Sequence, residues 1–182
     1  MGFEKRASDT ALDQDLRACR DPDAIGALLT NLRQDRPVLR AQSTDFGGTL
    51  NDKSALLAAY VACMNRGILD FFTGAKVLLQ GAVDRHHILP RAQFPQKERA
   101  RSDNIANIAF IASDVNKAMG LTGPGVYLKA ITQAILESQC VPTDERLWSI
   151  ERSEDFWTAR RELLADSFND FVRKVLPQRR IT

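Results

Sequence analysis

Apolar residues recur at steps of three and four along several stretches of the chain, the spacing that places them on one face of an α-helix. The longest such stretch begins at Ser153 and predicts one amphipathic helix that ends before Pro177. Another covers positions 56–64, shortly after Asp52, a residue type that caps helices, and we expect this helix to lie in the core. Two shorter helices are predicted in the first 36 residues and one more over 127–135.

The middle of the chain has a different pattern, in which short apolar runs are broken by glycine and proline. We predict a strand or extended loop over 83–88 and a second short strand over 105–111. A polar, basic surface loop at 95–103 separates the two strands. Ser113 is then expected to cap a short helix that carries Asn116.

These elements predict an α+β fold class, predominantly α-helical, with a small ββα motif embedded between N- and C-terminal helices. The expected division is a helical N-terminal part over 1–80, a ββα core over 81–120 and C-terminal helices over 121–182 that pack on the core. A chain of 182 residues is expected to form these parts into a single compact domain.

The overall charge does not by itself indicate a polyanionic partner. Lysine and arginine number 25 against 23 aspartates and glutamates, which gives a net charge of +2. A nucleic-acid surface therefore has to come from local clustering of basic residues. No stretch approaches the roughly 18 apolar residues of a membrane span, and the first residues lack the apolar core of a secretory signal. We expect a cytoplasmic protein.

The three cysteines, Cys19, Cys63 and Cys140, are far apart in the sequence and form no CxxC pair. This spacing argues against a disulfide scaffold and against a cysteine-bound zinc site. We expect three small, half-buried residues that behave as apolar side chains in a reducing cytoplasm.

Side chains that can carry chemistry cluster in the predicted ββα segment. The two histidines of the chain, His86 and His87, are adjacent on the first predicted strand. Successive side chains of a strand point to opposite sides, so His86 can face a metal while His87 faces a substrate. Asp84 lies on the side of His86 and is either an additional ligand or a partner of that ring. Asp70, in contrast, is expected to stabilise its own loop rather than to act in catalysis.

Two segments in this region, VDRHHILPR and IANIAFIASDVN, resemble the motifs of the HNH nuclease family, whose fold is called ββα-metal. The resemblance covers about positions 83–119. Less specific likeness extends to the C-terminal nuclease part of GmrSD-type restriction endonucleases and SspE-like phage-defence proteins. It involves three further segments: LLAAYVACMNRGILDFFTG, NKAMG with the later GPGVYLKAI, and WSIERSEDFWTARRELLADSFNDFV.

The resemblance implies a divalent-metal-dependent DNA endonuclease or nickase of a bacterial restriction or anti-phage system. It implies that His87 is the general base and that Asn107 fixes this base by bonding backbone across the turn between the strands. It places the metal on His86 and Asn116, while Asp84 stays a candidate third ligand from its position on the strand alone. An amide oxygen suits Mg²⁺ or Mn²⁺ and disfavours tight zinc binding. The expected products carry 5′-phosphate and 3′-hydroxyl ends.

Basic residues around the motif are expected to contact DNA phosphates without reading sequence. They are Arg85, Arg91, Lys97, Arg99, Arg101 and Lys117. Relatives of this type carry an N-terminal nucleotide-hydrolysing or sensor domain, whereas this sequence has no GxxxxGK[ST] phosphate loop. We therefore expect a nuclease module that belongs to a longer protein or stands alone. A single ββα site cuts one strand at a time, so double-strand cleavage requires a homodimer or two successive cleavage events by one molecule.

Two other interpretations remain open at this point. In the first, the chain is a catalytically silent DNA-binding module with an HNH-like fold. In the second, it is a helical interaction domain whose histidine pair is structural.

Overall fold

The computed structural model describes residues 9–35, 39–77, 82–112 and 123–176. Within these ranges the fold is α+β and mostly helical, with one small antiparallel sheet, which agrees with the expected class. The helices and strands are α1 (Asp9–Ala18), α2 (Ala24–Asp35), α3 (Lys53–Asn65), β1 (Val83–His87), β2 (Ile108–Ala112), α4 (Pro124–Tyr127), α5 (Gln133–Ser138) and α6 (Ser153–Val175). The predicted helix with Asn116 and Lys117 lies outside the described residues.

The two helices with the strongest sequence signals form as predicted. Helix α6 covers Ser153–Val175. Helix α3 begins after Asp52, whose side chain accepts a hydrogen bond from the Ala55 amide at 3.0 Å. The two helices pack against each other, and the Ser167 hydroxyl of α6 donates to the Ala62 carbonyl of α3 at 2.7 Å. None of the helices in the described ranges is long and apolar enough to cross a membrane.

The structure corrects two of the predicted elements. The helix expected over 127–135 is broken, because Ile131 and Thr132 are extended between a 3₁₀ turn and the start of α5. The second strand begins at Ile108 instead of position 105, because residues Ile105–Asn107 form a 3₁₀ turn. The Asn104 side chain caps this turn by accepting a hydrogen bond from the Ala106 amide at 2.9 Å. Side-chain capping of this kind competes with strand geometry and delays the strand.

Strands β1 and β2 pair in an antiparallel register that places His87 opposite Ile108 and His86 opposite Ala109. Every residue of β2 is buried. Its alternate side chains enter two different hydrophobic clusters. Ile108 and Phe110 pack with residues of α3 and α6. Ala109 and Ile111 belong to a second cluster, which contains Tyr127, Trp148, Phe156 and Trp157. The hairpin is therefore a layer between two halves of the core. A strand buried on both faces reads as a continuous apolar run, which explains the sequence IAFIA.

Two buried polar side chains provide hydrogen bonds along the outer edge of β2. The Gln139 amide accepts from the Phe110 N–H at 3.2 Å and donates to the Phe110 carbonyl at 2.5 Å. One carboxylate oxygen of Asp70 accepts from the Ala112 N–H at 2.8 Å. Buried strand edges need such partners, because an unpaired backbone group inside a protein is destabilising. Gln139 and Asp70 therefore provide the hydrogen bonds that the backbone of a third strand would otherwise make with β2.

Asp70 also stabilises its own loop, as the sequence predicted. Its second oxygen accepts from the N–H groups of Phe72 and Thr73, each at 2.9 Å, and from the Thr73 hydroxyl at 3.2 Å. Burial by itself raises the pKa of this carboxyl, but the hydrogen bonds from Ala112, Thr73 and Phe72 outweigh burial and lower the pKa.

Replacing Asp70 with asparagine is expected to lower the free energy of unfolding by about 1–3 kcal/mol at pH 7. Asparagine carries no negative charge, and its amide nitrogen cannot accept a hydrogen bond from the N–H groups that face the carboxylate. The pKa of Asp70 is lower in the folded chain than in the unfolded one. Its ionisation therefore stabilises the fold above the unfolded pKa of about 3.9, and this contribution is lost as the pH falls further. Urea unfolding of the unaltered chain and of Asp70→Asn at pH 7 and at pH 3 measures the difference between their free energies of unfolding. We expect this difference to be smaller at pH 3.

The control for this prediction is Asp166→Asn, which removes an exposed carboxylate of α6. It is expected to change stability by less than about 0.5 kcal/mol. Two results would contradict the role of the buried carboxylate: an equal loss of unfolding free energy in both variants, or a loss in Asp70→Asn that does not vary with pH.

Candidate active site

The tandem histidines point to opposite faces of the hairpin, as the alternation of a strand requires. The ring of His87 lies 3.0 Å from a carboxylate oxygen of Asp103. The ring of His86 lies among the rings of Phe71, Phe72 and Tyr127, with each centroid at 6.3 Å. The two rings therefore have different surroundings: a carboxylate and partial exposure for His87, and mainly aromatic rings for His86.

The pairing of His87 with Asp103 fixes the tautomer of the imidazole. An ionised carboxylate has no hydrogen to give, so the Nε2 atom of His87 has to donate to Asp103. The lone pair of the neutral ring is then on Nδ1, which makes no hydrogen bond within the described part of the chain. About a quarter of the His87 side chain is exposed, 26%. The ring is thus oriented by a carboxylate and still reachable by water, which is the arrangement of a general base.

Arg91 completes a three-residue hydrogen-bonded group with His87 and Asp103. One guanidinium nitrogen of Arg91 donates to both oxygens of Asp103, at 3.0 and 3.1 Å. Asp103 is held in addition by its backbone, since its carbonyl accepts from the Leu50 amide at 3.0 Å. These contacts keep the carboxylate at one position beside the His87 ring.

Sequence reasoning missed Asp103. In the printed sequence it is one polar residue at the end of the basic stretch 95–103, where an aspartate is an ordinary turn residue. The structure folds most of this stretch into a 3₁₀ segment, Gln96–Asp103, whose last residue comes back to β1. The available signal was an aspartate a few residues before the second strand of a hairpin that carries a histidine on the first.

Asn107 holds the two sides of the His87–Asp103 pair together. Its side-chain oxygen accepts from the Leu89 N–H at 2.9 Å, and its nitrogen donates to the Leu89 carbonyl at 3.0 Å and the Ser102 carbonyl at 2.8 Å. Leu89 follows His87 by two positions, and Ser102 immediately precedes Asp103. The expected bonding of Asn107 to backbone across the turn is therefore present. Asn107 is fully buried, so its side chain contacts the backbone on both sides of this pair and is not exposed to solvent.

The residues expected to hold a metal are placed only in part. Asp84 and His86 occupy alternate positions of β1 and so share one face of the hairpin, opposite Ile111 and Ala109. Asn116 lies outside the described residues. In the described ranges there is no group of three histidine, cysteine, aspartate or glutamate side chains arranged to hold an ion. The structure thus brings one imidazole and one carboxylate to the same face.

The basic residues expected to contact DNA divide into two sets. Arg101 binds Glu98 at 2.7 Å and Glu154 at 2.8 Å, and its guanidinium lies 5.8 Å from the centre of the Trp157 ring. Its hydrogen bonds to these carboxylates raise its pKa. Arg101, like Arg91, therefore binds side chains of its own chain.

Three other basic side chains are exposed and form no ion pair with another described residue; they are Arg85, Lys97 and Arg99. Arg85 is the best placed of them, because it lies two positions before His87 on the same face of β1. Lys97 and Arg99 lie on the 3₁₀ segment that ends at Asp103. Lys117 falls outside the described residues.

Comparison of the chain with protein-family models, with curated proteins and with solved structures finds no match. A function therefore has to be inferred from the chemistry and geometry of the side chains.

Proposed function

We propose that the chain is a divalent-metal-dependent DNA endonuclease or nickase, the effector nuclease module of a bacterial restriction or anti-phage system. The observation that carries this proposal is the partly exposed His87, oriented by Asp103 at 3.0 Å and adjacent on its strand face to the exposed Arg85. A base beside a cation that is available to a phosphate suits phosphodiester hydrolysis. The resemblance of the surrounding segments to HNH motifs supports the same assignment.

In the proposed reaction, Nδ1 of His87 accepts a proton from the water that attacks the scissile phosphorus. Asp103 stabilises the imidazolium that forms, because its carboxylate remains hydrogen-bonded to Nε2. Arg85 binds a phosphate oxygen and holds the backbone against the strand. The bond to the 3′ oxygen then breaks, and this oxygen takes a proton from solvent water, which leaves the 5′-phosphate and 3′-hydroxyl ends implied by the family.

His86 and Asp84 would hold the divalent ion, with Asn116 as a third donor. An imidazole, a carboxylate and an amide oxygen suit Mg²⁺ or Mn²⁺, whose remaining ligands are phosphate oxygens and water. When bound, such an ion neutralises charge on the phosphate and on the departing oxygen. Because the chain supplies few ligands, the ion should bind more tightly when DNA is present.

The direct test is conversion of supercoiled plasmid to open circles in Mg²⁺ or Mn²⁺. His87→Ala is expected to lower the nicking rate by about 10²–10⁴-fold, the usual contribution of a general base. The matched control is His87→Gln, whose side-chain amide donates to Asp103 but contains no basic nitrogen. If His87 acts as a base, both variants lose activity while the glutamine variant keeps its melting temperature. Nicking by His87→Gln at the rate of the unaltered chain would rule out this role.

A structural role for the histidine pair is the second candidate, because three aromatic rings surround His86. Under that interpretation neither Mg²⁺, Mn²⁺ nor DNA raises the melting temperature, whereas a ligand of the folded state must stabilise it. Salt-sensitive DNA binding without cleavage would indicate instead a silent binding module.

A further inference from the structure

One aromatic side chain is exposed beside the candidate metal ligand His86. Phe72 is 39% exposed, and it is the only exposed aromatic residue in the described part of the chain. Its ring centroid lies 6.3 Å from that of His86, at an interplanar angle of 85°. The preceding residue, Phe71, is buried in the core, and its ring also meets the His86 ring edge to face. One phenylalanine therefore anchors the segment, while the next is presented to solvent.

Phe72 lies at the tip of a loop, residues 69–76, whose two ends pair as an isolated antiparallel bridge. The Asp70 amide donates to the Ala75 carbonyl at 2.9 Å. Gly74 closes the turn with a φ angle of 66°, which glycine adopts without strain, and its amide donates to the Asp70 carbonyl at 3.0 Å. The Phe72 amide is itself bound by the Asp70 carboxylate. The tip is therefore held by hydrogen bonds within the loop.

The base of this loop is bound to the elements around the hairpin. The Leu69 amide donates to the Ser138 hydroxyl at 3.0 Å, and the Leu69 carbonyl accepts from the Gln139 side chain at 2.9 Å. Asp70 binds the Ala112 amide at the end of β2. The exposed ring is thus presented by a backbone that is fixed at its tip and at its base. A ligand that binds the ring has little loop entropy to overcome.

A flat apolar ring on a rigid support suits stacking with a nucleobase, since every base has a π-face. In a duplex both faces of a base are covered by neighbouring bases, so the base has to leave the stack before a side chain can take their place. A cation for a phosphate is available on the same loop, because Lys76 is exposed and forms no ion pair with another described residue. An aromatic ring together with a basic side chain is the combination that binds single-stranded DNA.

We propose that Phe72 stacks on a nucleobase of an unpaired DNA strand that lies across the His86 face of the hairpin. The inference rests on the proposed function, because it takes DNA as the substrate, and it adds that single-stranded or locally melted DNA binds better than intact duplex. Lys76 binds a phosphate of the same strand, a contact that does not depend on the base. Supercoiled plasmid meets the requirement for unpaired bases, because negative supercoiling favours local melting.

The test measures binding of a labelled oligo-dT strand and of a labelled duplex of the same length by fluorescence anisotropy, without divalent ions so that no cleavage occurs. Phe72→Ala is expected to weaken binding of the single strand about 5- to 100-fold, the usual contribution of one stacked base, and to change duplex binding less than about twofold. Phe72→Leu should lose nearly as much, because leucine is apolar but has no flat ring. Phe72→Tyr should bind like the unaltered chain.

The control is Leu57→Ala, which removes an exposed apolar side chain of α3 and should leave both affinities unchanged. Phe72→Trp gives a direct signal of stacking. Because Trp148 and Trp157 are buried, the added indole is the exposed fluorophore. Its emission should be quenched when oligo-dT binds, whereas the emission of the unaltered chain should change little.

The proposal is overturned if Phe72→Ala binds oligo-dT as tightly as the unaltered chain, or if it weakens single-strand and duplex binding equally. Where the unaltered chain still nicks plasmid, either result leaves the nuclease function in place and removes only the stacking role. If the unaltered chain binds neither DNA and does not nick plasmid, both proposals are wrong. Since Phe72 is exposed, all its variants are expected to melt within a few degrees of the unaltered chain, which separates lost stacking from lost folding.

Discussion

The Asp103→Asn chain is expected to nick plasmid at least about 10²-fold more slowly than the unaltered chain while binding DNA at least as well. Asp103 accepts the Nε2 hydrogen of His87, and this leaves Nδ1 as the basic nitrogen. An asparagine can turn its amide nitrogen toward the ring, which allows the opposite tautomer and removes the charge that stabilises the imidazolium. Loss of a negative charge beside the proposed phosphate site does not weaken DNA binding.

The measurement that checks this prediction is the separation of kcat from KM for plasmid nicking. A fall in kcat with an unchanged or lower KM supports a positioning role for Asp103. The charge-matched control is Asp166→Asn, which removes an exposed carboxylate elsewhere and should leave both parameters nearly unchanged. If the two aspartate variants nick alike, or if Asp103→Asn acts only through KM, Asp103 does not orient a base.

Arg91 offers a graded comparison at the same site. It binds both oxygens of Asp103, and within the described residues no hydrogen bond or ion pair joins it to His87. Its side chain is half-exposed, 52%, so its ion pair contributes little to stability. Replacing Arg91 with alanine should therefore reduce kcat less than replacing Asp103.

The parts of the fold that could be predicted depend on neighbours in sequence. The apolar period of α6, the Asp52 cap of α3 and the short run before Pro90 are local signals, and each predicted its element closely. The break at Ile131 and the late start of β2 were missed. In both cases local side-chain or backbone geometry overrides the apolar pattern.

The parts of the candidate site that could not be predicted depend on residues that meet only in the folded chain. His86, His87 and Asn107 were predicted from a motif, and the backbone bonds of Asn107 followed from it. Asp103 has no distinctive neighbours in sequence, and only the folded chain brings its carboxylate within 3.0 Å of the His87 ring. The same holds for Gln139, a common surface residue type that here replaces a strand along the edge of β2.

Asn107→Ala is expected to cause the largest loss of stability of the substitutions considered, about 3–5 kcal/mol. The substitution leaves three buried backbone groups without their partner: the N–H and carbonyl of Leu89 and the carbonyl of Ser102. Leu89 and Ser102 are themselves fully buried, so water does not replace the lost bonds. The melting temperature should fall by roughly 10 °C for a chain of this size.

The matched control is Asn104→Ala, the same substitution three positions earlier. The Asn104 side chain is half-buried and accepts one capping hydrogen bond, from Ala106 at 2.9 Å, so its loss should cost about 1 kcal/mol. Urea unfolding of both variants measures the difference, and nicking assayed well below the melting temperature measures the effect on the base. Because Asn107 joins the segments of His87 and Asp103, its alanine variant should lose activity even where it is folded. If Asn107→Ala is no less stable than Asn104→Ala, the hydrogen bonds of Asn107 do not hold the pair together.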